Sequence, residues 1–198
     1  RVNALAVLSG LASEDKYQVI TKVLKENYDT GPAMEKYVLE ALCLINKHEI
    51  ATERMKARYA EMVNYDKTTL WEHWGEEEGG KNHAWSGGPL TVLSRYYAGI
   101  APLTAGYNTV SIKPKLAGLN KLSSKVSTVK GDINLEVEKT KDTFTMSLET
   151  PAEAIVAIPV EYSTIIINEQ DISQYKYHNE DEEYVYYSIP KGNYNIDC

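Results

Sequence analysis

Between Thr68 and Trp85 the chain reads Thr-Thr-Leu-Trp-Glu-His-Trp-Gly-Glu-Glu-Glu-Gly-Gly-Lys-Asn-His-Ala-Trp, a stretch that holds all three tryptophans and two of the four histidines. It has neither a helical nor a strand period, and connections of this length inside a compact helical region are commonly binding or catalytic loops. Aromatic rings beside a carboxylate suit sugar chemistry, because the apolar face of a pyranose packs on indole while its hydroxyls need hydrogen-bond partners. Trp71, Glu72 and Trp74 supply both. Set between two indoles, the Glu72 carboxyl is expected to be partly desolvated, which raises a pKa and improves it as a base or acid near neutral pH. His83 is suited to a hydrogen bond with a hydroxyl.

Each of these residues also has a purely structural reading. Trp71 and Trp74, three apart, fit two core anchors of one helical turn with Glu72 turned to water, and His83 fits a satisfied structural histidine. Glu76-Glu77-Glu78 reads as a solvated turn, since nothing beside it offers the Asp/Asn alternation of a calcium loop. His73 and His83 have no third ligand at metal spacing, so no metal is expected. Gly79-Gly80-Lys81 lacks the preceding strand, glycine spacing and Ser/Thr of a phosphate loop. Ser86 lacks the Gly-x-Ser-x-Gly setting of an activated serine. Cys43, on an apolar helix face, reads as packing, and a disulfide from it to Cys198 is weakly supported. His48 and His178 are given no role.

The elements that must position this stretch follow from composition and period. In 198 residues, 43% hydrophobic and 25% charged, there is chain enough for a core without staples, and disorder is excluded. Lys and Arg number 21 against 28 Asp and Glu, a net charge of −7. With no basic cluster, the chain lacks the electrostatic footprint for nucleic acid or anionic lipid. The longest apolar run, near Ala154–Ile158, is far too short to cross a bilayer. Up to about residue 101 apolar residues recur at helical spacing, best in Met34, Tyr37, Val38, Ala41, Leu42 and Ile45, and Pro32 suits a first helical turn. Five helices are expected, over about 1–12, 14–26, 32–46, 49–64 and 86–98. Beyond Pro102 the period becomes two: Ile133, Leu135 and Val137, then Phe144, Met146 and Leu148, form a hairpin, with further strands over 107–113, 122–129, 153–160, 163–168 and 184–189. The reading is helices over 1–102 and an antiparallel β-sandwich over 103–198, which excludes a parallel sheet with a dinucleotide-binding βαβ unit.

Thr68-Thr69-Leu70-Trp71-Glu72-His73-Trp74, Asn82-His83-Ala84, Gly87-Gly88, Ala98-Gly99-Ile100 with Pro102, Gly106-Tyr107 and Ile112-Lys113-Pro114 follow one another in an order that resembles the end of bacterial α-L-rhamnosidases, glycoside hydrolase family 78. Arg1-Val2-Asn3-Ala4-Leu5-Ala6 and Tyr37-Val38-Leu39-Glu40-Ala41-Leu42 are similar to that family too. The resemblance implies the last five or so helices of an (α/α)6 barrel, then a β-sandwich. It also implies inverting hydrolysis of terminal α-L-rhamnosides without a cofactor, by two carboxyl groups about 6.5–9.5 Å apart. Glu72 takes the place of the general base, His83 of the rhamnose-contacting histidine, and Trp71 and Trp74 of a wall against the sugar's methyl-bearing face. Gly80-Lys81, before Asn82, departs from the small polar residue the family has there. The general acid belongs to an earlier part of the barrel. The chain is thus expected to be a C-terminal fragment, inactive alone, whose partners are a rhamnose-containing oligosaccharide or glycoside and the missing N-terminal part of the same chain. A secreted or periplasmic location is what a polysaccharide-degrading family suggests. The alternatives are a non-catalytic carbohydrate-binding module, with Tyr184-Val185-Tyr186-Tyr187 as a second aromatic face on an edge strand, and a different (α/α)6 glycosidase.

Overall fold

A computed structural model describes residues 1–66, 69–75, 77 and 79–198; Thr68, Glu76 and Glu78, named above, lie outside the described residues. The chain forms two compact units, Arg1–Leu93 and Ser94–Cys198. They divide ahead of the change in composition because Ile100–Pro102, read as the residues beyond a helix, is already a strand of the second unit.

The first unit is helical: α1 (Val2–Leu8), α2 (Tyr17–Glu26), α3 (Pro32–Leu44), α4 (His48–Asn64) and the short α5 (Gly88–Val92). α3 is its centre, in contact with α1, α4 and α5. The expected stripe is there in Val38, Ala41, Leu42 and Ile45, but Glu35, Leu39, Glu40 and Cys43 are buried as well, so α3 is enclosed nearly all round and Tyr37 faces outward. Pro32 takes the first helical position. The expected helix over 86–98 is a composite: a 3-10 turn (Ala84–Gly87), α5, and a π-helical turn (Leu93–Tyr97). Its close approach to α3 demands Gly88, where a Cβ would sit 2.6 Å from Cβ of Lys36. No helix among the described residues is long and apolar enough to cross a membrane.

The buried charge of this unit is concentrated on Glu35 of α3 and Arg54 of α4, 0% and 2% exposed. They are ion-paired, and Arg54 also donates to the carbonyls of Leu24 and Asn27 at 2.6 and 2.8 Å. Arg58, one helical turn on, donates to the carbonyls of Tyr28 and Thr30. Two arginines on one face of α4 thus satisfy the carbonyls of the loop between α2 and α3 and fix its path.

The second unit has two sheets. One runs β1 (Ile100–Pro102), β2 (Thr109–Ile112), β6 (Glu153–Pro159), β10 (Tyr184–Ile189) and β9 (Lys176–Glu180). The other runs β3 (Lys121–Thr128), β4 (Gly131–Lys139), β5 (Phe144–Thr150), β11 (Gly192–Asp197), β7 (Ile166–Ile167) and β8 (Gln170–Asp171). The expected hairpin is β4 and β5, in register at Leu135 with Leu148 and Val137 with Met146. Its inward residues share one core with Val110 and Ile112 of β2, Val156 and Ile158 of β6 and Ile189 of β10. The sandwich is not wholly antiparallel: β2 and β6 pair in parallel, joined by a long excursion through β3, β4 and β5. β10 is interior rather than an edge, covered by β9. Its tyrosines serve the unit itself, Tyr184 donating to the Pro114 carbonyl at 3.1 Å and Tyr186 to the Asp181 carboxylate at 2.5 Å. Cys43 and Cys198 are both free thiols.

Candidate active site

The segment from Leu70 to His83 folds back on itself. The His83 N–H donates to the Leu70 carbonyl at 2.9 Å, and the Glu72 N–H donates to the Gly80 carbonyl at 2.9 Å. These two rungs bring Glu72 and His83, eleven residues apart in sequence, to one mouth. The Gly80 N–H donates to Oε2 of Glu72 at 2.9 Å, and Nε2 of His83 lies 3.4 Å from the same oxygen. His73 stands on the other side, its Nε2 3.9 Å from Oε1 of Glu72. The carboxylate is 27% exposed, reachable by solvent and held at a defined place.

This corrects the electrostatic expectation. The Glu72 carboxyl is pushed below the usual carboxylate range, first by the Gly80 N–H and then by the two imidazoles, which together outweigh desolvation. A backbone donor aimed at a carboxylate favours its charged form. A carboxyl kept ionised is in the form that accepts a proton, although the lowered pKa makes it a weaker base than desolvation alone would.

Gly79 and Gly80, dismissed above as a failed phosphate loop, create that geometry. A Cβ on Gly79 would lie 2.8 Å from Oε2 of Glu72, and one on Gly80 would lie 3.0 Å from Cδ2 and Nε2 of His83. Side chains at either position would displace one of the two groups. Here the Gly80-Lys81 departure gains a local reason: Gly80 leaves room for His83, while the Lys81 ammonium lies 4.3 Å from the centre of the Trp71 ring and donates to the Gly75 carbonyl at 3.0 Å.

The tryptophans divide differently from expectation. Trp71 is 0% exposed, packed with Tyr59 and Met62 of α4, and its ring meets Tyr65 edge-on at 5.2 Å. Its indole N–H is buried and has no hydrogen-bond partner among the described residues. The ring therefore anchors the segment from behind, with no face open to a sugar. Trp74 is tied to the helical scaffold: its N–H donates to the Thr30 carbonyl at 2.6 Å, the Arg58 guanidinium lies 4.1 Å from its ring centre, and Tyr59 meets it edge-on at 5.0 Å. Thr30, whose carbonyl also accepts from Arg58, is thus the point where the buried charge cluster grips the segment. Ser86 is fully buried and donates to the Trp71 carbonyl, a brace rather than a nucleophile. Trp85 was given no role above, yet it is 51% exposed with its ring 4.5 Å from that of His83.

Elsewhere, His48 is buried at the start of α4, His178 lies on exposed β9, and Glu77 is an exposed turn residue. Among the described residues no group of three or more His, Cys, Asp or Glu is placed to hold a metal ion.

In chain order a helical unit is followed by a two-sheet unit, and comparison with known proteins finds the same order elsewhere. Residues 99–173 match the family model for the bacterial alpha-L-rhamnosidase C-terminal domain. The comparison with curated proteins returns no match. Among solved structures, the α-L-rhamnosidase from Dictyoglumus thermophilum superposes with a TM-score of 0.82 at 23% identity, covering 98% of this chain and 25% of that one. The Streptomyces avermitilis α-L-rhamnosidase, complexed with L-rhamnose, gives 0.78 at 14% identity over 99% of this chain and 21% of its own. A GH78 family rhamnosidase of Bacillus sp. GL1 gives 0.61 at 25% identity over 71% of this chain and 16% of that one. The chain resembles the C-terminal part of bacterial α-L-rhamnosidases, and it spans a quarter or less of the length of these structures.

Proposed function

We propose that this chain is the C-terminal part of an inverting α-L-rhamnosidase, that its helices are the last of an (α/α)6 barrel, and that it carries the general base, Glu72, but not the general acid. The observation that carries the reading is the Glu72 carboxylate, held in its charged form by the Gly80 N–H with the His83 imidazole 3.4 Å away. An ionised carboxylate at a solvent-reachable mouth is what deprotonating a water requires.

In the proposed reaction Glu72 accepts a proton from that water as its oxygen attacks the anomeric carbon of a terminal α-L-rhamnoside. An acid from outside these 198 residues protonates the departing glycosidic oxygen on the other face. His83 takes a hydroxyl of the sugar. The L-rhamnose in the Streptomyces avermitilis structure supports the choice of sugar. The exposed apolar residues Val2, Leu5, Leu11, Val19 and Leu90 support further helices packing on the first unit, as closure of a barrel requires.

The test is to incubate the complete chain with an aryl α-L-rhamnoside and follow the first-formed sugar by proton NMR, with the 198-residue piece in parallel. The β anomer first, and no turnover by the piece alone, is expected. A first-formed α anomer overturns inversion, and turnover by the piece overturns the division of acid from base.

A further inference from the structure

Three indoles share the candidate site's segment, and two of them are engaged elsewhere. Trp71 is 0% exposed, and Trp74 is held by the Thr30 carbonyl, Arg58 and Tyr59. Trp85 alone of the three stands half in solvent, 51% exposed. Its position is set by its neighbours rather than by its own packing. The Ser86 N–H donates to the His83 carbonyl at 3.2 Å and the buried Ser86 hydroxyl donates to the Trp71 carbonyl, which locks the turn Ala84–Gly87 on both sides of the indole. The ring stands 4.5 Å from the His83 ring, tilted by 37°, and His83 in turn lies 3.4 Å from Glu72. Carboxylate, imidazole and indole form a row: a base, a hydroxyl partner and an apolar plate.

Resting on the rhamnosidase reading, we propose that Trp85 is the sugar-facing aromatic of this site, and that it contributes specificity for a 6-deoxyhexopyranose through its exposed indole face. The polar edge of such a sugar is matched by His83, while its C–H face and C6 methyl need a flat apolar surface, and indole offers the largest one a side chain can. A methyl against indole is favourable where a hydroxymethyl would have to give up water, so the plate also discriminates.

In the complete chain, Trp85→Ala is compared with Trp85→Tyr and Glu72→Gln. The readouts are inhibition by L-rhamnose and the ratio of kcat/KM for an aryl α-L-rhamnoside over the corresponding α-L-mannoside, which differs by a C6 hydroxyl. Trp85→Ala is expected to raise the L-rhamnose inhibition constant and the KM about tenfold, the size of losing one or two buried C–H groups. It should also collapse the rhamnoside preference at nearly unchanged kcat, with Tyr restoring most of both. An unchanged inhibition constant and preference in Trp85→Ala, while Glu72→Gln abolishes turnover, overturns this inference and leaves the base assignment standing. Native turnover in Glu72→Gln overturns the reading on which it rests.

Discussion

Gly79→Ala separates the geometry of the base from everything else in the site. Gly79 has φ of +61°, and an added Cβ would lie 2.7 Å from Cδ2 of His73 and 2.8 Å from Oε2 of Glu72. Two costs follow. The left-handed backbone costs a residue other than glycine about 1–2 kcal/mol, which in a chain of this size lowers Tm by a few degrees. Crowding adds less to that cost, because the two closest atoms are side-chain ends that can swing aside, although Cβ of Glu72 at 3.2 Å must also give by a few tenths of an ångström. The function bears it instead: reaching ordinary contact at 3.4 Å moves the carboxylate oxygen by about 0.6 Å, and a shift of about 1 Å at a reacting group costs about 10²-fold. For the complete chain we therefore expect kcat on an aryl α-L-rhamnoside to fall by about 10–10²-fold. Gly79→Asn, which tolerates the backbone but keeps the Cβ, should recover the Tm and not the rate. Gly118→Ala, at φ of +84° with no heavy atom within 4 Å, should lower the Tm and spare the rate. A Gly79→Ala enzyme within twofold of native kcat would refute the argument.

Two further outcomes follow from the charged networks. Arg54→Met takes from the buried Glu35 its closest charge partner, leaving it the Arg58 guanidinium at 3.8 Å and the Thr30 hydroxyl, and should cost about 3 kcal/mol in urea unfolding followed by circular dichroism; a loss under 1 kcal/mol would contradict the cluster's role in holding the loop before α3. In the second unit the Tyr186 hydroxyl, the N–H groups of Glu183 and Tyr184 and the Lys113 ammonium hold the Asp181 carboxyl well below its unfolded value of 3.8. That stabilisation is complete above about pH 4 and is lost as pH falls through the folded value. Tm measured from pH 2 to pH 7 should therefore fall more steeply on the acid side in native protein than in Asp181→Asn, and equal slopes would refute the assignment.

What the sequence made legible was whatever a period could carry. The α3 stripe and the β4 and β5 alternation each bury a regular set of side chains. β9 has no buried residue and so offers no alternation, and β11 offers only Tyr194 and Ile196. Residue types single out Glu72 and His83 as candidates but not how they are held. Thr30 and Gly80 act through a backbone carbonyl and a backbone N–H, which no residue type announces. The Glu72 carboxyl is shifted down rather than up because that N–H outweighs desolvation, a balance set by distance alone. Residue type could not tell the sunk indole of Trp71 from the exposed one of Trp85, because burial depends on which way each turn faces α4.

The assignment of Glu72 as base is tested most directly by Glu72→Gln, and by Glu72→Ala with added azide, in the complete chain. The amide keeps the reach of the side chain but cannot accept the water's proton, so kcat should fall by about 10²–10⁴-fold while L-rhamnose still binds. Azide, entering the space that Ala leaves, should restore turnover and yield the β-rhamnosyl azide by attack from the water's face. Near-native kcat in Glu72→Gln, or no effect of azide on Glu72→Ala while substitution of Glu77 abolishes activity, would contradict the account.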